Sequence, residues 1–202
     1  IVEGSNNNPI NVLLNDNDID GNPLIIIGVT QPSHGSVTFS TTTVFYTPQA
    51  NFVGGDSFTY TASDGLGGTD SALVTITVTN INDPPNAVDD TESVVEDSTN
   101  NQIEVLVNDY DIDGDFLTVT SITQPSHGSA TFTTSNVYYT PSSNYNGPDS
   151  LSYTINDGHS GTDTATISLT VTSANDPPIA YDDTAIVYED STGNQLVVLI
   201  ND

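Results

Sequence analysis

Two runs of alternating aspartates are the residues best placed to do chemistry: Asp16, Asp18 and Asp20 before Gly21, and Asp109, Asp111 and Asp113 before Gly114. Carboxylates at every second position, closed by a glycine that permits a sharp turn, form the half-shell that wraps a hard cation. A helix-flanked calcium loop would also need a glutamate at its twelfth position. That position holds Ile27 in one run and Thr120 in the other, and no helical pattern flanks either, so this architecture is excluded. The remaining oxygen ligands must come from elsewhere in the chain. Ca²⁺ suits such a set because it accepts about 6–8 oxygens in a flexible shell, whereas Mg²⁺ demands a tight octahedron and retains water.

The composition narrows the alternatives. The 202 residues include 27 acidic side chains and no lysine or arginine, a formal net charge of −27. Backbone recognition of nucleic acid and polybasic membrane attachment both need cationic side chains. Schiff-base chemistry, a phosphate-loop lysine and a lysine isopeptide crosslink are excluded for the same reason, and the lack of cysteine removes disulfides and thiolates. No stretch approaches the ~20 apolar residues of a membrane span. The acid is 22 Asp against 5 Glu, and aspartate favours turns and loops. With no ordinary ion-pair partner, these carboxylates must be solvated, hydrogen-bonded or metal-bound.

Other reactive constellations read as structure. His34 and His127 both sit in Gln-Pro-Ser-His-Gly, and a Ser–His pair invites a hydrolase reading. Recurrence at the same place in two copies instead marks a hairpin turn whose dihedrals come from Pro and Gly. His159 stands where the other copy has Leu66, so it reads as incidental. Asp89 and Asp90 are neighbours on a strand and point to opposite faces, which is unsuited to a glycosidase pair. Tyr46, Tyr60, Tyr139 and Tyr153 lie on strands and are expected to pack in the core rather than form a glycan platform. The chain reads as non-enzymatic.

The copies follow from self-comparison. VLLNDNDIDG at 12–21 recurs as VLVNDYDIDG at 105–114, TQPSHGS at 30–36 recurs at 123–129, and NDPP at 82–85 recurs at 175–178, all at one offset of 93 (105 − 12, 123 − 30, 175 − 82). VLIND at 198–202 opens the motif a third time. The expected division is 1–85, a repeat lacking its first residues; 86–178, a complete repeat; and 179–202, the N-terminal strands of a third. The absence of an initiator Met and of a signal peptide fits an internal piece of a longer protein.

Within a repeat the apolar period is two. Ala165, Ile167, Leu169 and Val171 share one face, and Leu151, Tyr153 and Ile155 another. Half-buried antiparallel strands separated by Gly, Pro, Asn and Asp clusters predict an all-β fold of tandem seven-stranded, Ig/cadherin-like Greek-key β-sandwiches in an elongated array. Strands are expected near 86–95, 103–108, 117–123, 129–134, 136–140, 150–156 and 164–172. Alternating their directions sends Asp109, Asp111, Asp113, Asp157 and Asp163 to one end of the repeat. Glu96, Asp97 and Asp149 go to the other end, beside linker residues Asn175 and Asp176. Where the first repeat passes to the second, Glu3, Asp56, Asn82 and Asp83 are expected to meet Asp89, Asp90 and the loop aspartates. Asp182 and Asp183 repeat Asp89 and Asp90 in the third copy.

NDPPNAVDDT, VxEDST, VLVNDYDIDGDFLTVTSITQPSHGSATF, YYTPSSNYNGPDSLSYTINDG and GTDTATISLTVT together resemble the cadherin-like, VCBS-type tandem repeats of giant bacterial RTX-type surface adhesins. The resemblance spans the whole chain. It implies an extracellular, cell-surface extender in which Ca²⁺ at the repeat junctions stiffens a long rod. Similarity to true cadherins, more distant, implies ligand roles for Glu3, Asp56, Asn82, Asp83, Asp109 and Asp111. The linker here is shortened to NDPP, and the Arg-containing acidic motif of cadherins is absent. Partners implied are neighbouring repeats of the same chain, with glycan or protein contacts made elsewhere in the molecule and neither nucleic acid nor membrane insertion. Two alternatives remain: a subunit of a homopolymeric filament of identical chains joined by strand exchange, and a glycan-binding adhesive module.

Overall fold

The structure, a computed structural model, describes residues 1–198 and divides into two compact units. The first comprises residues 1–85 with the short segments 110–116 and 157–161; the second holds 86–109, 117–156 and the residues from 162 onward. No α-helix forms among the described residues, and none is long and apolar enough to cross a membrane.

In the first unit, β1 (Asn8–Ile10), β2 (Ile25–Val29), β3 (Gly35–Phe39), β4 (Val44–Pro48), β5 (Gly54–Ser63) and β6 (Thr69–Val78) form two three-stranded sheets, ordered β1-β4-β3 and β2-β5-β6. In the second, β7 (Asp90–Val95), β8 (Asn101–Ile103), β9 (Thr118–Ile122), β10 (Gly128–Phe132), β11 (Val137–Pro141), β12 (Gly147–Asn156) and β13 (Thr162–Thr172) form sheets β7-β13-β12-β9 and β10-β11-β8. Among the described residues, the pairings between these strands are antiparallel except that of β7 with β13, and Val2 meets Thr79 in an isolated parallel bridge. This is the seven-stranded Ig-like sandwich expected of the complete repeat.

The period of two builds each core. Along β13, Ala165, Ile167, Leu169 and Val171 are buried. Along β5, Phe58, Tyr60 and Ala62 are. The tyrosines expected in the core lie there, Tyr46, Tyr139 and Tyr153 with no exposure and Tyr60 with 4%. Outward hydroxyls pair across strands, Thr61 with Ser71 at 2.8 Å and Thr154 with Thr164 at 3.0 Å, which helps hold register on the solvent face.

Two local expectations need correction. The strand placed at 103–108 is only Asn101–Ile103; fully buried Val105 pulls the following residues into a turn, as its counterpart Val12 does in the 3-10 turn Val12–Asn15. The Gln-Pro-Ser-His-Gly segment is not a hairpin. It crosses from one sheet to the other, β2 to β3 and β9 to β10. The Gln31 amide clasps the far side, accepting from Val37 N at 2.9 Å and donating to Val37 O at 2.8 Å. Its glycine is required by close approach: a Cβ on Gly128 would lie 2.5 Å from Thr140 O and 2.6 Å from the Tyr139 ring. Gly128→Ala should therefore destabilise the second unit by about 1–3 kcal/mol, the usual cost of overpacking, read by urea denaturation.

Residues 173–198 form no strand. By offset, 183–188 correspond to β7, which exists through its pairing with β13.

Candidate metal centre

Three carboxylates meet in two overlapping sets, both within the first compact unit. Glu3, Asp83 and Asp113 each offer an oxygen within 4.8 Å of the others, as do Asp111, Asp113 and Asp115. Asp113 is common to both. Like charges at this spacing repel by roughly 1–4 kcal/mol per pair, depending on solvent access. No lysine or arginine is available to offset that.

Local backbone geometry builds the loop. Asp111 Oδ1 accepts from Asp113 N at 2.8 Å and Asp115 N at 3.4 Å, and Gly114, at φ +81°, turns the chain. Asp113 Oδ2 accepts from Asp83 N at 2.7 Å, and Glu3 Oε1 from Ile81 N at 2.8 Å. These bonds draw the residues around Asp83 toward the loop. Asp111 Oδ2 is buried and accepts no hydrogen bond. A buried, unsatisfied carboxylate oxygen is costly unless a cation meets it. The donor set is hard oxygen throughout, so it fits Ca²⁺, with Glu3, Asp83, Asp111, Asp113 and Asp115 as the residues that would hold it.

The other proposed ligands are placed differently. Asp157, 3% exposed, is saturated: Oδ1 accepts from His159 N at 2.7 Å and Gly161 N at 3.0 Å, and Oδ2 from Asn82 Nδ2 at 2.8 Å. The Asn82 amide, ahead of the loop amides, holds this carboxyl below its ordinary range despite burial. In the first copy, Asp18 Oδ1 accepts from Asp20 N and Asn22 N, and Asp16 Oδ2 from the Tyr60 hydroxyl at 2.6 Å. Asp16, Asp18 and Asp20 form no three-carboxylate group. Asn22 stands where the second copy has Asp115, a ligand candidate the sequence reading missed because its template stopped at the glycine. His159 Nδ1 lies 3.1 Å from Asp115 Oδ2.

In the second unit, Asp109, Asp163, Asp89 and Asp90 organise the entry to β7. Asp109 accepts from Val88 N at 2.7 Å, Asp163 from Ala87 N at 2.8 Å, and Asp89 from Thr166 N at 2.8 Å. Asp90 Oδ2 is buried without a hydrogen bond. Burial, then the Asp109 and Asp89 charges, push the Asp90 carboxyl up; burial and the Asp163 charge raise that of Asp109. Burial and the neighbouring Asp90 and Asp109 also raise the Tyr153 phenol.

Asp56 and Asp149 do structural work rather than wait for a metal. Asp149 accepts from Ser126 N, His127 N, Ser150 N and the Tyr139 hydroxyl at 2.9–3.1 Å. Asp56 repeats this with Ser33 N, His34 N, Ser57 N and the Tyr46 hydroxyl. Burial pushes both carboxyls up, but these hydrogen bonds outweigh it and hold them below the ordinary range. Burial and Asp56 push the Tyr46 phenol up to about 12. Glu96 caps backbone through Ala174 N at 2.6 Å, and Asp97 accepts from Ser143 Oγ and Asn144 N. Asn175, Asp176, Asp182 and Asp183 are exposed.

A family model described as Bacterial Ig domain matches residues 1–77 and 82–170. No curated protein matches the chain. Among solved structures, PcdhgB3 EC1-4 is similar at 15% identity and TM-score 0.55, over 91% of this chain and 50% of that one. Protocadherin Gamma B2 extracellular cadherin domains 1–5 are similar at 14% identity and TM-score 0.50, over 79% and 34%. An endo-fucoidan hydrolase from glycoside hydrolase family 107 aligns at 24% identity and TM-score 0.36, over 77% and 24%. The chain thus spans a quarter to a half of the length of these solved chains.

Proposed function

The chain belongs to the bacterial Ig domain family, and from that membership we propose that it is a non-enzymatic extender segment of a longer extracellular, cell-surface protein, stiffened by bound Ca²⁺. The observation that carries this reading is the buried, unsatisfied Asp111 Oδ2 beside Asp113 and Asp115 in a chain without a cationic side chain. Glu3 and Asp83 from the first repeat and the 111–115 loop of the second supply the ligands. Ca²⁺ cancels their repulsion and ties the two repeats' segments together through one ion. The expected affinity is on the order of 10⁻⁴–10⁻³ M, as for other extracellular modules. The wider setting this supports is a calcium-dependent surface adhesin, with the adhesive contact made elsewhere in the molecule.

Small-angle scattering tests the stiffening. With millimolar calcium the chain should hold a narrower distribution of end-to-end distances than with chelator. Identical profiles in the two conditions would remove the extender mechanism.

A further inference from the structure

β2 and β3 are sheet edges in the first unit, and β9 and β10 in the second. An edge strand offers its outward backbone groups to any other strand, and lysine, proline or a bulge is the usual safeguard. The chain has no lysine. β2 and β9 are irregular, their pairing skipping Ile27 and Thr120. β3 and β10 lack even that. Gly35–Phe39 and Gly128–Phe132 run in unbroken register beside β4 and β11, with no charged residue and no proline. Phe39 and Phe132 are 42% and 41% exposed. Flat, uncharged edges of this kind invite self-pairing.

Alternation shows which groups face outward. Ser142 N donates to His127 O, and Thr133 N to Asn136 O, so residues 127, 129, 131 and 133 turn their backbone toward β11. Gly128, Ala130 and Phe132 turn theirs to the open side. At the centre of that stretch stands the Gln124 side chain. Its Oε1 accepts from Ala130 N at 3.0 Å, and its Nε2 donates to Ala130 O at 2.9 Å. One amide thus makes both bonds that a facing residue of an added strand would make. Gln31 holds Val37, the central outward residue of β3, in the same way. Just beyond each strand the edge is closed by a backbone bond, Val119 N to Thr134 O at 2.9 Å and Ile26 N to Thr41 O at 2.8 Å.

We infer that the β3 and β10 edges are self-pairing surfaces, and that Gln31 and Gln124 close them against a second copy of this chain. The two strands differ only at Val37 and Ala130. Antiparallel pairing of β10 with β10 of a second copy, centred on Ala130, sets Gly128 of each strand opposite Phe132 of the other. An aromatic ring then covers the gap left by a glycine, and no carboxylate lies on either strand to repel. The contact is the same surface on both copies, so one open edge gives a pair and two open edges give longer assemblies. Tandem repeats are prone to such misassembly, and a side-chain amide is a safeguard open to a chain without lysine.

Light scattering on the full chain in chelator tests this, since calcium bridges then contribute nothing. Gln124→Leu removes both bonds and should double the mass relative to the wild-type chain at the same concentration. Gln31→Leu with Gln124→Leu should carry it past two copies. Gln124→Glu keeps an acceptor for Ala130 N, loses the donor to Ala130 O and adds a charge to the edge; it should hold the wild-type mass. Wild-type mass for Gln124→Leu would overturn the inference. So would association of Gln124→Glu as strong as that of Gln124→Leu, because it would tie association to lost stability rather than to an opened edge. If circular dichroism shows Gln124→Leu unfolded, Gln31→Leu and Gln31→Glu decide by the same criteria in the first unit.

Discussion

Asp149→Ala should cost the second unit about 3–5 kcal/mol, the largest loss expected of any single change described above. One carboxylate, 9% exposed, satisfies four donors at once, three of them backbone N–H groups. Truncation leaves Ser126 N and His127 N without an acceptor and the buried Tyr139 hydroxyl with only the long bond to His127 O at 3.3 Å, and each orphaned group costs roughly 1–3 kcal/mol. It also unpins the crossover between the two sheets, where His127 stacks on Tyr145 at 4.2 Å. Asp149→Asn should cost less, because one oxygen remains to accept. The pH signature separates the charge from the shape. The folded carboxyl lies below its ordinary value, so its contribution is complete above about pH 4, the ordinary range of an aspartate, and is lost as pH falls through the depressed folded value. Wild-type stability should thus fall on acidification in that window, and Asp149→Asn should flatten part of the slope. Urea denaturation at a series of pH values measures both. Asp56→Ala in the first unit serves as the internal copy of the same experiment.

Asp113→Asn should have the largest effect on cation binding. Asp113 alone belongs to both three-carboxylate sets. The amide oxygen can still accept from Asp83 N, so the loop closes, but one formal charge leaves the site. Calcium affinity should drop about tenfold or more. A ligand at a hundred times its dissociation constant stabilises the binding state by about 2.7 kcal/mol. Calcium should therefore raise the melting temperature of the wild-type chain clearly, and that of Asp113→Asn much less at the same concentration. An equal rise in both would show that the stabilising ion sits elsewhere.

Much of the fold was legible because its signal is local. Alternation along 164–172 and 150–156 tells which side chains face inward, and the repeat tells it twice. Asp111 and Asp113 were legible for the same reason, since a turn-forming run of carboxylates needs no knowledge of the rest of the chain. The structural carboxylates were not. Asp56 sits in phase with Phe58, Tyr60 and Ala62, so parity alone points it inward. What it meets there, backbone at Ser33 and His34 and the Tyr46 hydroxyl, depends on how the crossover packs under β5. Reading Asp56 and Asp149 as end-of-repeat ligands gave weight to their charge and missed their phase. Asp157 poses the same problem: its acceptor capacity is taken by its own loop and by Asn82, distant in sequence. Asp115 was within reach, as the third acid beyond Asp111 and Asp113 in a run that continues past its glycine.

The central claim is that the carboxylates around Asp113 form a calcium site, and an equilibrium calcium titration of the full chain by calorimetry tests it most directly. Saturable binding is expected with a dissociation constant on the order of 10⁻⁴–10⁻³ M, weakened in Asp113→Asn. Absence of saturable binding through the millimolar range, or a curve that Asp113→Asn leaves unchanged, would contradict it.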